Sequence, residues 1–225
     1  MRKVPGSKTA SGVIQWLINQ IPPHQWLIES FGGNATLAQQ ITPPERCTVI
    51  EKNPDTATEL QSSLTAEVRN QDAFEFIEQH LDHPDTKSSF LYADPPYVHA
   101  ARRQQKLYQH ELTDADHERL CRLLKRWPGM VLLSGYDNEI YRRLLPGWRT
   151  AEFRTMTHTG LRLEKIWMNF PEPKRLHDYR FLGKDRTDRQ RIRRKIERTK
   201  ARLAELPPLE RHAIIDELLS ARLSA

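Results

Sequence analysis

Asp94, Pro95, Pro96 and Tyr97 follow directly on an apolar run at residues 90–93. An ionised carboxylate only accepts hydrogen bonds, a proline carbonyl has no N–H of its own beside it, and a phenol ring is flat. Together they form a compact reader for a planar amino group. Two consecutive prolines stop a strand and fix φ, so Asp94 and Tyr97 are expected at its carboxyl end. In open α/β sheets that edge is where ligands bind. Taken alone, the tetrapeptide would also suit an ordinary strand-to-turn boundary with an exposed tyrosine.

Three other stretches repeat the pattern. A short apolar run at 26–28 delivers Glu29, Ser30, Phe31, Gly32, Gly33, Asn34 and Ala35. Two glycines after a strand allow a tight turn and close backbone approach to a ligand. Asn34 is expected to cap a helix that starts at Ala35. The run at 47–50 ends in Glu51, close to the spacing of about 20 residues at which mononucleotide-binding units place an acid for ribose hydroxyls. A weaker strand at 67–70 leads to Asp72, and the helix expected at 73–80 carries Phe74, Phe76 and Ile77. A lone acid after a strand is usually a solvated turn. Four such ends on one sheet edge are better explained by a nucleoside-like ligand lying across them.

The elements that must hold these residues follow from periodicity and punctuation. Helical spacing recurs at 9–20, 56–64, 113–127 (with Thr113 as N-cap) and 139–145. A fifth strand at 130–133 leads to Ser134, Gly135, Tyr136, Asp137 and Asn138. Alternating segments at 149–157 and 161–170 flank Thr157-His158-Thr159-Gly160 and predict a β-hairpin at the end of the sheet. The fold class is therefore α/β. Pro171 and Pro173 mark a boundary between a domain at 1–170 and a helical extension at 171–225. Between residues 184 and 202 there are ten basic residues against three acidic ones.

A net charge of +6 and a pI near 9.4 point to a polyanionic partner. The excess is local. Arg191, Arg193, Arg194, Lys195 and Arg198, on the expected helix at 186–206, are candidates to track phosphates. Arg102, Arg103, Lys106 and Tyr108, in a stretch without periodicity just after the tetrapeptide, are candidates for phosphate contact and base stacking. A solvated surface loop and a solubilising helix stay open as alternatives for these two segments. No apolar run approaches the roughly 20 residues needed to span a bilayer, and the first residues lack the apolar core of a signal peptide. Cys47 and Cys121 form no CxxC pair and are expected to be reduced, in a cytoplasmic protein. The nine histidines show no HxxxH or HExxH spacing, so no metal is expected.

The order of glycine turn, Glu51, Asp72, Asp94-Pro95-Pro96-Tyr97 and terminal hairpin resembles the S-adenosylmethionine-dependent DNA adenine-N6 methyltransferases. More closely, it is similar to the small Dam-like enzymes encoded by phages and prophages. The likeness includes Pro5-Gly6-Ser7-Lys8, Pro22-Pro23-His24, Ser134 to Asn138, Trp167 to Phe170 and the stretch from Leu176 to Gly183. It implies a class I methyltransferase fold, a mostly parallel seven-stranded sheet with a terminal antiparallel hairpin. It also implies that S-adenosyl-L-methionine is the cofactor and DNA the partner. Phe31, Gly32 and Gly33 would then back the methionine part, Glu51 hold the ribose, Asp72 the adenine amine and Lys8 the methionine carboxylate. Glu29, Phe74 and Asp94 would complete the cofactor's surroundings. Asp94 and the Pro95 carbonyl, with Pro96 and Tyr97, would hold and stack the target adenine.

Val4 stands where the family often has Trp or Tyr, and Asn34 where it often has a small residue. Larger Dam-type enzymes insert a recognition domain between the third acid and the catalytic motif. Only about twenty residues separate Asp72 from Asp94 here, so a weak or very short sequence preference is expected. An RNA base methyltransferase and a non-catalytic nucleic-acid-binding protein on the same fold are the rival readings. A glutamine-N5 protein methyltransferase would usually carry Asn in place of Asp94.

Overall fold

Apolar runs flanked by amphipathic helices require a sheet covered on both faces. The computed structural model has that form, and it describes residues 12–96, 112–157 and 160–223. The elements run α1 (Val13–Ile18), β1 (Trp26–Ser30), α2 (Thr36–Gln40), β2 (Arg46–Glu51), α3 (Pro54–Ser63), β3 (Glu67–Asn70) and α4 (Ala73–His80). A 3₁₀ turn (Pro84–Ser88) leads into β4 (Ser89–Ala93), followed by α5 (Asp114–Arg126), β5 (Met130–Gly135) and α6 (Glu139–Leu144). The hairpin β6 (Arg149–Thr157) and β7 (Gly160–Met168) closes the sheet, and α7 (Arg186–Glu205) and α8 (Pro208–Leu223) follow.

The seven strands lie in the order β3-β2-β1-β4-β5-β7-β6. Strands β1 to β5 pair parallel, and β7 enters antiparallel between β5 and β6. Every residue of β1 and β4 is buried, which is why both read as unbroken rather than alternating segments. The two-residue period still sorts side chains by face. Trp26 and Ile28, Leu91 and Ala93, and Val131 and Leu133 pack in one cluster with Phe74, Phe76 and Ile77 of α4, Leu120 and Leu124 of α5 and Tyr141 of α6. Val49 turns the other way, onto Ala35 and Leu60. Thr113 caps α5 in a reciprocal box: its hydroxyl accepts from the Asp116 N–H, and the Asp116 carboxylate accepts from the Thr113 N–H.

Two boundaries differ from the sequence reading, each for a local reason. Strand β1 carries on through Glu29 and Ser30, because both are buried and paired, Glu29 beside Val49 and Ser30 beside Ile50. Helix α2 starts at Thr36, and its N-cap position is Ala35 in the left-handed region, not Asn34. Among the described residues no helix is long and apolar enough to cross a membrane.

The chain divides into two compact units between Arg180 and Phe181. Residues 171–180 belong with the first unit through specific bonds. The His177 N–H donates to the Ile21 carbonyl at 2.9 Å, and its ring stacks on His24 with centroids 4.0 Å apart. The buried Asp178 carboxylate accepts from the Thr42 N–H at 2.9 Å and from Arg180 at 2.6 Å. Arg180 in turn donates to the Gln40 carbonyl. In the second unit α7 has no buried residue.

Burial alone would raise the Asp178 carboxyl, but Arg180 and two backbone amides outweigh it and hold it at about 2 instead of 3.8. Stabilisation from this depressed group is present above its usual pKa and lost as pH falls through about 2. Asp178→Asn should therefore lower stability near neutrality by about 2 kcal/mol, as for a hydrogen bond to a charged group. The gap to wild type should narrow progressively below pH 4, as read from urea midpoints.

Candidate active site

Strand order converts the scattered sequence positions into one line. Along the carboxyl edge the strands β3, β2, β1, β4 and β5 are successive neighbours. They end beside Asp72, at Glu51, at the Phe31-Gly32-Gly33 turn, at Asp94 and at Ser134-Gly135 respectively. With strands about 4.8 Å apart, Asp72 and Asp94 bracket roughly 14 Å of edge. The direction of chain winding reverses between β1 and β4, the crevice where such sheets take ligands.

The glycine turn is pressed onto β2. A Cβ on Gly32 would stand 2.8 Å from Val49 Cγ1 and 3.1 Å from the Ile50 carbonyl, so only glycine fits. The Gly32 N–H donates to that carbonyl at 2.7 Å. Gly33 has φ of +51°, and its N–H donates to Glu51 Oε2 at 2.7 Å. Phe31 and Ala35 also sit at positive φ, 64° and 46°. Two non-glycine residues in that region within five positions mark a backbone held by its surroundings. The Phe31 ring meets Phe74 edge-on at 6.1 Å, giving the edge an apolar wall.

Glu29 is buried. Ala35 has no side-chain acceptor for the first turn of α2, and Glu29 supplies one from β1. Its carboxylate accepts from the Ala38 N–H at 2.8 Å and from the Leu37 N–H at 3.4 Å. Burial pushes its pKa up to about 8, against the pull of those two amides and with a further push from the charge of Asp94. Both Glu29 oxygens are engaged with α2, so its visible work is to hold the glycine turn's exit.

Glu51 is half-buried and spans two backbones. Oε2 takes the Gly33 N–H, and Oε1 takes the Asn53 N–H at 2.7 Å. Asp72 caps α4, with Oδ1 accepting from the Phe74 N–H at 2.8 Å, while Oδ2 pairs with Lys52 Nζ at 2.8 Å. Burial would raise the Asp72 carboxyl, yet Lys52 and the helix amides keep it below the usual carboxylate range. The Asn70 amide donates to the Glu51 and Lys52 carbonyls, fixing the strand end from which Lys52 reaches across to Asp72.

At the other end of the line, Ser134 Oγ donates to Asp94 Oδ1 at 2.6 Å. Ser134 is fully buried, and its hydroxyl lies 3.3 Å from the Tyr92 hydroxyl. Asp94 is half-buried, Pro95 buried and Pro96 half-buried. Ser134 and Lys52 carried no assigned role in the sequence reading. The place of Ser134 follows from strand order: β5 is parallel to β4 with Ala93 beside Leu133, so the next residue of each strand falls side by side.

The structure thus brings together Glu29, Phe31, Gly32, Gly33, Glu51, Asp72, Phe74, Asp94, Pro95 and Pro96. Lys8, Tyr97, Arg102, Arg103, Lys106 and Tyr108 lie outside the described residues. Arg191, Arg193, Arg194, Lys195 and Arg198 are on α7, in the second unit. Among the described residues no group of three or more His, Cys, Asp or Glu is placed to hold a metal ion.

A family model described as D12 class N6 adenine-specific DNA methyltransferase matches residues 33–158, more than half of the chain. Among solved structures, the chain is similar to a SAM-dependent methyltransferase from Agrobacterium tumefaciens (12% identity, 68% of this chain, 59% of that one, TM-score 0.44). A putative SAM-dependent methyltransferase from Streptococcus mutans (11% identity, 69% of this chain, 47% of that one, TM-score 0.45) is another. A third is a putative methylase from Haemophilus influenzae (18% identity, 76% of this chain, 93% of that one, TM-score 0.43). The chain thus spans about half the length of the first two. No curated protein matches it.

The raised Glu29 carboxyl has a measurable consequence. A buried acid whose folded pKa is about 8 instead of 4.5 contributes stability that is complete below its unfolded pKa and lost as pH rises through its folded one. The stability advantage of wild type over Glu29→Gln should therefore shrink between pH 4.5 and 8. Urea midpoints of the two proteins at both ends of that window check it. A constant difference would mean that Glu29 does not titrate there.

Proposed function

The chain belongs to the D12 class N6 adenine-specific DNA methyltransferase family, and from that premise we propose that it methylates the exocyclic amine of a flipped-out adenine in DNA, with relaxed or very short sequence preference. S-adenosylmethionine is the methyl donor, and when bound it supplies an electrophilic methyl group on a sulfonium. The edge from Asp72 to Asp94 suits it chemically: carboxylates at both ends and at Glu51 accept from an amine and from ribose hydroxyls, and their negative charge favours a sulfonium. The Phe31–Phe74 wall offers the apolar surface a nucleoside needs.

The observation that carries the reading is the Ser134–Asp94 bond at 2.6 Å, next to the switch point of the sheet. The adenine amine is a poor nucleophile because its lone pair is delocalised into the ring. An Asp94 carboxylate and the Pro95 carbonyl accepting its two N–H bonds favour a pyramidal nitrogen whose lone pair faces the methyl group. The methyl group that S-adenosylmethionine would supply could pass to that nitrogen, its bond to sulfur breaking as the N–C bond forms, and the Asp94 carboxylate that holds the N–H would receive the released proton and hand it to solvent. Positioning and electrostatics then supply most of the acceleration. Ser134 is a positioning residue: by occupying Oδ1 it sets the rotation of the carboxylate.

A target adenine in a stacked duplex is out of reach, so it must leave the stack, and the Tyr97 ring is assigned to receive it. Relaxed specificity is supported by the chain between Asp72 and Asp94, which α4, the 3₁₀ turn and β4 fill almost entirely. Little chain is left there for groove readout. The setting proposed is the cytoplasm of a bacterial cell.

Asp94→Ala should lower kcat at least a thousandfold while the Kd for S-adenosylmethionine, measured by calorimetry, stays within a few-fold. Turnover preserved at saturating cofactor would remove Asp94 from the chemistry. For Ser134→Ala we expect a kcat loss of about tenfold at unchanged cofactor affinity, with Ser134→Thr restoring it. Loss of activity in step with loss of melting temperature, and no rescue by threonine, would reduce Ser134 to a packing residue. Methyl transfer to duplex DNA, single-stranded DNA and RNA, followed by sequencing of the product, tests the substrate itself.

A further inference from the structure

Helix α7 carries nine basic residues against three acidic ones over Arg186–Glu205. Arg191 pairs with Asp188 and Lys200 with Glu197. The other seven bases form no ion pair among the described residues. None of the helix is buried, and Ile196 on its narrow apolar stripe is 43% exposed. At 100° per residue, Arg189 and Arg193 fall on one flank of that stripe, and Arg194, Lys195, Arg198 and Arg202 on the other flank and back.

A helix built only for solubility would alternate its charges so that residues four apart attract. This one does the reverse. Arg189 and Arg193, Arg191 and Lys195, Arg194 and Arg198, and Arg198 and Arg202 are all like-charged pairs at that spacing. Each costs about 0.2–0.5 kcal/mol in an isolated helix. The repulsion is relieved by a polyanion, and seven of the nine bases are arginines, whose fork of donors matches phosphate oxygens.

We propose that α7 is a phosphate-tracking helix for duplex DNA, giving the enzyme sequence-independent affinity that its adenine site cannot supply. The inference rests on the reading of DNA as substrate. At 1.5 Å per residue the helix is about 30 Å long, the length of about nine base pairs at 3.4 Å each. Bases on more than one flank suit contact with successive phosphates better than a single buried patch would. Enzyme held by backbone charge alone can slide and hop between adenines, so several methylations per encounter follow from the same surface.

The test uses the full chain. Three proteins are compared: wild type, a variant with Arg193→Gln, Arg194→Gln, Lys195→Gln and Arg198→Gln, and a variant with Arg193→Lys, Arg194→Lys and Arg198→Lys. Their affinity for a short DNA duplex is measured by fluorescence anisotropy from about 50 to 200 mM salt. Removing four phosphate contacts should reduce the slope of log affinity against log salt by up to about 3.6. The lysine variant should keep the wild-type slope, since charge rather than helix integrity is what it preserves. Hydrogen exchange should also show α7 amides gaining protection when duplex is added to wild type. Equal slopes in all three proteins overturn the proposal. A slope change with duplex RNA but not DNA overturns it too and assigns the helix to RNA. Methyl transfer to DNA with an unaltered slope sinks the helix assignment alone. An altered slope without methyl transfer to any DNA sinks the substrate reading instead.

Discussion

Where β1 runs out, the backbone of Gly32 lies so close to β2 that a methyl group would not fit between them. That approach lets the Gly32 N–H reach the Ile50 carbonyl and the Gly33 N–H reach the Glu51 carboxylate. Two strands that end at different points in the sequence are thereby locked into one surface. The cost is local strain, with Phe31 and Ala35 held at positive φ at about 1–3 kcal/mol each. It is sustained because groups on three sides define the turn: Val49 beneath it, Glu51 across from it, and Glu29 gripping the start of α2 beyond it.

Placing several carboxylates along one edge invites repulsion, and the protein resolves it differently at each position. Asp72 is paired with Lys52 and capped on α4. Glu51 draws on two amides. Asp94 has a serine hydroxyl. Glu29, the deepest, is held up at about 8 by burial and by the charge of Asp94. The electrostatic field at the edge therefore comes mainly from the three acids nearest solvent. These three stand at successive strand ends along the carboxyl edge of the sheet.

The strand ends Glu51, Asp72 and Asp94 were legible in the sequence because parallel strands buried on both faces appear as uninterrupted apolar runs, and the first polar residue after them marks the edge. Glu29 broke that rule. It is an acidic residue inside a strand, tolerated because burial holds its pKa up at about 8 and α2 offers two amides to it, and a pattern of side-chain polarity cannot reveal a partner nine residues away. The same blindness put the cap of α2 on Asn34 when the acceptor comes from β1. Ser134 was hidden for a third reason: its role depends on strand order, which periodicity does not contain. The stretch at 171–180 looked like the start of an extension because Pro171 and Pro173 break the pattern. Its attachment uses backbone groups of Ile21, Gln40 and Thr42, which leave no trace in composition.

The proposed chemistry also bounds what the adenine site can select. Two acceptors would repel any base that presents a carbonyl there, so thymine and guanine would be rejected by lone pairs left facing lone pairs. Cytosine is different, because it too offers an amine with two N–H bonds. Discrimination against it must come from ring size and from the stacking surface assigned to Tyr97, terms smaller than a lost charged hydrogen bond. Base identity would thus be enforced unevenly, strongly against carbonyls and more weakly against the smaller amine. On the proposed reading, neighbouring bases would hardly be read by the short connection from Asp72 to Asp94. On that reading, affinity for DNA would be supplied by contacts blind to sequence, the chemistry proposed for the arginine-rich α7.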